Sequence, residues 1–264
     1  MSDPADDAFY DRGGPNVFVP TAATIGPWDP NLQHGSPPAS LLAWAMTSTS
    51  PRPDMRLAFF SMDFFGPVPR APMTVAAEVV RGGKKIELLS ATASIGGRVA
   101  LRASGWRVAV EEGRTPEKNL ADPPSPPLPP AGDVALFTGV PRFGYADALE
   151  WRFVEGGFAE LGPATVWSRL RVAVVRGEEV TPLSRALAMV DSANGISMEV
   201  EAREFLAVPV NLTVSMTVTP RGEWVGMSAR TAMSRDGAGT TRARVFDREG
   251  GIGEAVQTLF VARR

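Results

Sequence analysis

Three polar residues fall on three separate strand-like runs near the C-terminus: Asn211, Thr231 and Gln257. Each alone reads as a solvent-facing strand residue. Brought together, two amides and a hydroxyl can hold a water against a carbonyl carbon. A second set lies at helix ends. His34-Gly35 precedes a helix start, where main-chain amides can point at a polar group such as a carbonyl. His34 reads equally as a turn histidine that ties its own loop. Asp191-Ser192-Ala193-Asn194-Gly195 closes a second helix. This stretch is either a plain C-terminus, with Asn194 or Gly195 in the left-handed cap conformation, or a pocket edge carrying Asp191 and Asn194. An acid there faces the negative end of the helix dipole, which hints at a function or an unseen partner.

Composition removes many other chemistries. The 264 residues contain no Cys, which excludes disulfides, thiolate zinc sites, iron–sulfur clusters and cysteine nucleophiles. A single histidine, His34, excludes a multi-histidine metal site. The chain lacks G-x-S-x-G, G-x-x-x-x-G-K-[ST] and H-E-x-x-H. Lys+Arg total 27 and Asp+Glu 29, a net charge of -2 that gives no drive towards nucleic acid or anionic membrane. No apolar run approaches the roughly 18 residues of a membrane span. The opening MSDPADDAFY has no basic region followed by an apolar stretch. The expectation is a soluble cytoplasmic protein that needs no cofactor and no metal.

The elements that must position these residues come in two similar series. Residues 18–25 read as a short strand, and 39–50 as a helix with Pro37 and Pro38 at its start and Ser36 as a possible N-cap. Strand-like runs follow at 56–65, 73–81, 85–95 and 98–110, the last three separated by Gly82-Gly83 and Gly96-Gly97. The second series has strand-like runs at 149–155 and 164–175, then a helix over 182–192 with Thr181 as N-cap. Further runs close the chain at 210–219, 223–233, 240–247 and 252–262. Between the series, 111–133 turns proline-rich and must be extended. The organisation is therefore an N-terminal unit, 1–115, a proline-rich linker, 116–133, and a C-terminal unit, 134–264. The fold class is α+β, each unit a long helix packed on an antiparallel sheet, with the two sheets joined edge to edge.

The segments QHGSPPASLLAWAM, DSANGIS, NLTVSMTVTPRGEWVGMSARTAMSRDGAGTTRARVFD and GEAVQTLFV resemble the acyl-CoA thioesterase II family and its actinobacterial thioesterase-like relatives. The resemblance covers most of the chain outside the linker and the N-terminal tail. It implies a double hotdog fold and hydrolysis of fatty acyl-CoA. In that family an Asp, a Thr or Ser, and a Gln activate the attacking water. The resemblance sets the Gln on Gln257, the Thr on Thr231 and the Asp on Asn211; the helix-end readings above make His34, Gly35, Asp191, Asn194 and Gly195 the candidates to line the substrate. The family's H-G-G reads His34-Gly35-Ser36 here. An amide cannot take a proton from water as a carboxylate does, so Asn211 opens a second reading: an acyl-CoA or fatty-acid binding protein with impaired catalysis. Asp63 and Asp191 are the other carboxylates that could serve, Asp63 in the second pseudo-site. A hotdog dehydratase needs a close Asp and His pair, which no motif around His34 supplies. The family also implies a homodimer or higher assembly.

Overall fold

Residues that alternate apolar and polar form half-buried strands. The computed structural model describes residues 7–115, 123–137 and 139–264. In it these runs become one 13-stranded sheet. The first half supplies β1 (Ala8–Gly14), β2 (Val17–Pro20), β3 (Met55–Phe64), β4 (Met73–Arg81), β5 (Ile86–Ile95) and β6 (Arg98–Ala109). The second supplies β7 (Leu149–Glu155), β8 (Ala164–Leu170), β9 (Ala173–Val175), β10 (Phe205–Met216), β11 (Trp224–Met233), β12 (Ala238–Asp247) and β13 (Gly250–Arg263). Their order across the sheet is β7-β8-β11-β12-β13-β10-β3-β6-β5-β4-β2-β1-β9. Each half contributes an antiparallel meander, and the meanders meet where β3 pairs antiparallel with β10, Ser61 opposite Thr213. That seam removes two edges that would otherwise be open to aggregation.

Helices cover one face. α1 (Ser36–Ser48) packs on β3 to β6 and against α3 (Pro182–Val190). Every residue of α1 from Ser36 to Met46 is buried, which suits a helix that is apolar nearly all round. Two of its hydroxyls are satisfied within the helix, Ser40 Oγ donating to Pro37 O at 2.7 Å and Thr47 Oγ1 to Ala43 O at 3.0 Å. Thr181 caps α3, its hydroxyl accepting from the Ser184 amide at 3.1 Å. Gly35, not Ser36, stands at the N-cap of α1, and the Ser36 amide is taken by His34 Nδ1 at 3.1 Å.

The structure departs from the sequence reading in further places. The second helix is not continuous over 182–192. It stops at Val190 and restarts as α4 (Ala193–Ile196) after Asp191 and Ser192. Neither Asn194 nor Gly195 is left-handed, since both lie inside α4. The run 164–175 splits at Arg171, and β9 leaves its own half to pair in parallel with β1 at the far end of the sheet. Finally, β1 forms at Ala8–Gly14, where the sequence predicts no strand, and 18–25 is only β2 plus a 3-10 turn at Ala22–Thr24.

The proline-rich stretch is partly outside the described residues. Its described part, from Pro123 onward, forms no helix or strand. It is pinned to the helix-free face of the second half. Ser125 Oγ donates to Asp247 O at 2.6 Å and Trp167 Nε1 to Pro126 O at 3.2 Å, while Leu128 packs on Trp167, Trp224 and Phe246.

Candidate active site

Strand alternation decides which polar residues face the helices. On β13, Ala255, Gln257 and Leu259 point inward and are buried; Glu254, Val256 and Thr258 point outward. Thr241 lies opposite Gln257 on β12, and Thr231 opposite Thr241 on β11. All three are buried beneath α3 and α4. Thr231 Oγ1 meets Thr241 Oγ1 at 2.7 Å and Ser197 Oγ at 2.9 Å.

Asn211 stands on the other face. Leu212, one residue on, is the one opposite Gln257 and is fully buried. Asn211 is therefore turned outward, where its Oδ1 accepts from the Thr258 amide at 2.9 Å. Asp63 is its cross-strand neighbour and is exposed. The whole sheet separates both from Gln257, so the expected grouping of Asn211 with Thr231 and Gln257 does not form. Asp63 likewise reaches no helix-side site.

The carboxylate beside Gln257 is Asp191. Gln257 Nε2 donates to Asp191 Oδ1 at 2.8 Å and to Asp191 O at 3.0 Å, and Gln257 Oε1 accepts from the Asn194 amide at 3.0 Å. The break between α3 and α4 makes this possible, because an unbroken helix would commit the Asn194 amide to its own backbone ladder. Asp191 is buried, and burial pushes its carboxyl up to about 7 from the usual 3.8, against the pull of the Gln257 hydrogen bond and the Gly35 amide. The acid that opposes the dipole at the end of α3 thus faces the start of α1, where the dipole favours it. A Cβ on Gly35 would come within 2.4 Å of Asp191 Oδ2 and 2.7 Å of Phe64 Cζ, so only glycine allows this approach.

His34 lies next to the acid, Nδ1 3.6 Å from Asp191 Oδ2, yet the two are not an ion pair. That distance is too long for a hydrogen bond, and Nδ1 already accepts from Ser36. Burial also pushes the imidazole down to about 3, so it is neutral at physiological pH and carries its proton on Nε2. Its ring stacks on Tyr145, centroids 3.8 Å apart and planes within 7°. Tyr145, in the short α2 (Gly144–Asp147), donates to Ala188 O at 2.9 Å and lies 3.0 Å from Ser36 Oγ and 2.7 Å from Ser192 Oγ. It clamps the start of α1 to the end of α3. Tyr145, Ser197 and Thr241 escaped the sequence reading. Thr241 carried a usable signal, a polar residue between small and apolar inward positions; Tyr145 carried none.

Asn194 completes the set. Its Nδ2 donates to Ala207 O at 2.9 Å, but its buried Oδ1 has no partner among the described residues. A buried orphan acceptor is costly unless a donor such as water or substrate meets it. A Cβ on Gly195 would meet Phe137 Cζ at 3.4 Å and nothing nearer among the described residues outside its own helix. Among the described residues no group of three or more His, Cys, Asp or Glu side chains could hold a metal ion.

Two family descriptions match the chain, the acyl-CoA thioesterase N-terminal domain over residues 24–108 and the acyl-CoA thioesterase C-terminal domain over residues 119–261. The chain belongs to the acyl-CoA thioesterase family. Solved structures agree on the fold. A protein of unknown function with a hot dog fold from Alicyclobacillus acidocaldarius is 16% identical, with TM-score 0.73 over 99% of both chains. The tesB protein of Mycobacterium avium subs paratuberculosis is 14% identical, with TM-score 0.68 over 96% of both. Acyl-CoA thioesterase II TesB2 from Mycobacterium marinum is 12% identical, with TM-score 0.65 over 97% of this chain and 95% of that one. No curated protein matches the chain. The fold is the hotdog, and the family's chemistry is hydrolysis of thioesters, with acyl-CoA the substrate that membership implies. No helix among the described residues is long and apolar enough to cross a membrane.

Proposed function

We propose that this thioesterase hydrolyses fatty acyl-CoA and that Asp191, not Asn211, supplies the base. The observation that carries this is the buried contact of Gln257 with Asp191. A carboxyl near 7 is partly ionised at neutral pH and can take a proton from water. In the proposed step, the water oxygen bonds to the thioester carbon while its proton passes to Asp191. The tetrahedral oxyanion then expels the CoA sulfur, which recovers that proton. Gln257 holds the carboxylate in place, and the orphan Asn194 Oδ1 accepts the water's second hydrogen. The His34 Nε2–H is the donor offered to the carbonyl oxygen. Gly35 and Gly195 leave room at the helix ends, and the Thr231–Thr241–Ser197 hydroxyls support the floor.

The rival reading, a binding protein without catalysis, rests on an amide in place of the base. Its force depends on Asn211, and Asn211 lies across the sheet from Gln257. A thiol-release assay on acyl-CoA substrates decides between them. The parent should turn over, Asp191→Asn should lose roughly 10²–10⁴-fold, and Asn211→Ala should match the parent. A silent parent that binds acyl-CoA and gains turnover in Asn211→Asp would establish the binding-protein reading instead.

A further inference from the structure

The two halves are related by a pseudo-twofold axis at the seam, and the second site it generates has been rebuilt. Leu212 and Phe60 each precede the central Thr213–Ser61 pair by one residue. Gln257 lies opposite Leu212, and Gly105 lies opposite Phe60. Gly105 therefore occupies the place of Gln257. Counted from the prolines that open the two helices, Pro37 and Pro182, the place of Asp191 falls on Met46 inside α1, whose Sδ would lie 3.1 Å from a Cβ on Gly105. Acid and amide are both gone, and an apolar plug stands in their place.

Beside that plug, a cavity of about 160 Å³ opens between the end of α1 and the start of α3. Its apolar wall includes Leu57, Leu183 and Met216. Arg52, Arg56 and Arg107 also line it. Glu87 is shared by Arg107 at 2.5 Å and Arg52 at 2.8 Å, and Asp54 also holds Arg52 at 2.8 Å. Half-buried Arg56 instead reaches a main-chain oxygen, Met216 O, at 2.8 Å and meets no carboxylate among the described residues. Three guanidinium groups thus face two carboxylates. A partly desolvated cation at an apolar cavity calls for an anion with an apolar tail.

We propose that this cavity is a second, non-catalytic ligand site that binds the carboxylate of a free fatty acid to Arg56 and its chain against Leu57, Leu183 and Met216. The acid would be the product of the reaction at the opposite end of α1 and α3. Only that last link rests on the thioesterase reading, since the site itself needs no turnover.

The test is calorimetric titration of the intact chain with octanoate, a free acid with no thioester to hydrolyse. Octanoate should bind, Arg56→Gln should weaken it more than tenfold, and Gln257→Ala should leave it unchanged. Octanol, which lacks the carboxylate, should bind at least tenfold more weakly. Octanoate binding that depends on Gln257 and ignores Arg56 would overturn the proposal, as would inorganic phosphate or free CoA binding there while octanoate does not. Methyl spectra of ¹³C-labelled methionine need no variant at the cavity. Met55 and Met216 line it and should shift with octanoate, whereas Met62 and Met189 should not; shifts confined to the latter pair would also overturn it.

Discussion

Asp191 controls the pH behaviour at the residue scale. Its folded carboxyl sits near 7, so the base form fills as pH rises through 7. The ratio kcat/KM should climb over that range and level off above it; an acid limb at pH 4–5 in the pH–rate profile would place the base elsewhere. The same shift bears on stability. The folded chain holds the Asp191 proton more tightly than the unfolded chain. Its stabilising share is therefore complete below about pH 4 and is lost as pH rises through 7, on the order of 4 kcal/mol. His34 acts in the opposite sense. Its folded value near 3 lies below the ordinary 6.5, so stability present above 6.5 is lost as pH falls towards 3. The two slopes oppose each other in the parent, and only a difference isolates Asp191. Asp191→Asn should gain urea stability on the parent between pH 4.5 and pH 8; a gap of constant size would refute the linkage.

At the scale of elements, the start of α1 and the end of α3 meet closely enough to make two similar-looking glycines behave differently. Gly35→Ala would drive a methyl into Asp191 and Phe64, and should cost about 1–3 kcal/mol in thermal unfolding and lower kcat. Gly195→Ala meets only Phe137 Cζ, at 3.4 Å, inside a helix, and should be neutral or stabilising by up to ~1 kcal/mol. Equal effects at the two positions would sink the argument. Most strands were legible, because period-two alternation and glycine turns are local signals. β1 was not, since AFYDRGG carries charge and ends in glycine like a tail; its burial comes from partners β2 and β9, distant in sequence. The α3–α4 break was hidden because Asp191-Ser192 gives no stop as strong as proline. The site was half legible. Asp191 was suspect from the dipole it opposes, but its partner, the start of α1, belongs to the other half. Residue type and resemblance alike draw Asn211 into the site, although inward Leu212, Val214 and Met216 set it on the opposite face.

For the whole molecule, the question is whether either half could stand alone. The sheet says no. β9 crosses to pair with β1, Arg12 bonds Glu178 at 2.8 Å, and Arg176 bonds Asp11 at 2.5 Å, all between halves. Cutting the chain would open the β3 and β10 edges together and strip α1 from α3. It would also separate Tyr145 from Ser36 and Gly35 from Asp191, leaving buried polar groups without partners. Residues 1–115 and 134–264 expressed separately should therefore lack a cooperative denaturant transition, and the intact chain should show one transition coincident by tryptophan fluorescence and far-UV circular dichroism. Thiol release should be absent from each piece and return on co-expression, because His34 and Gly35 come from one half while Asp191 and Gln257 come from the other. A cooperative transition in either isolated half would show that the interleaving of β1 and β9 is dispensable. Hydrolysis by 134–264 alone would show that the start of α1 has no part in the chemistry.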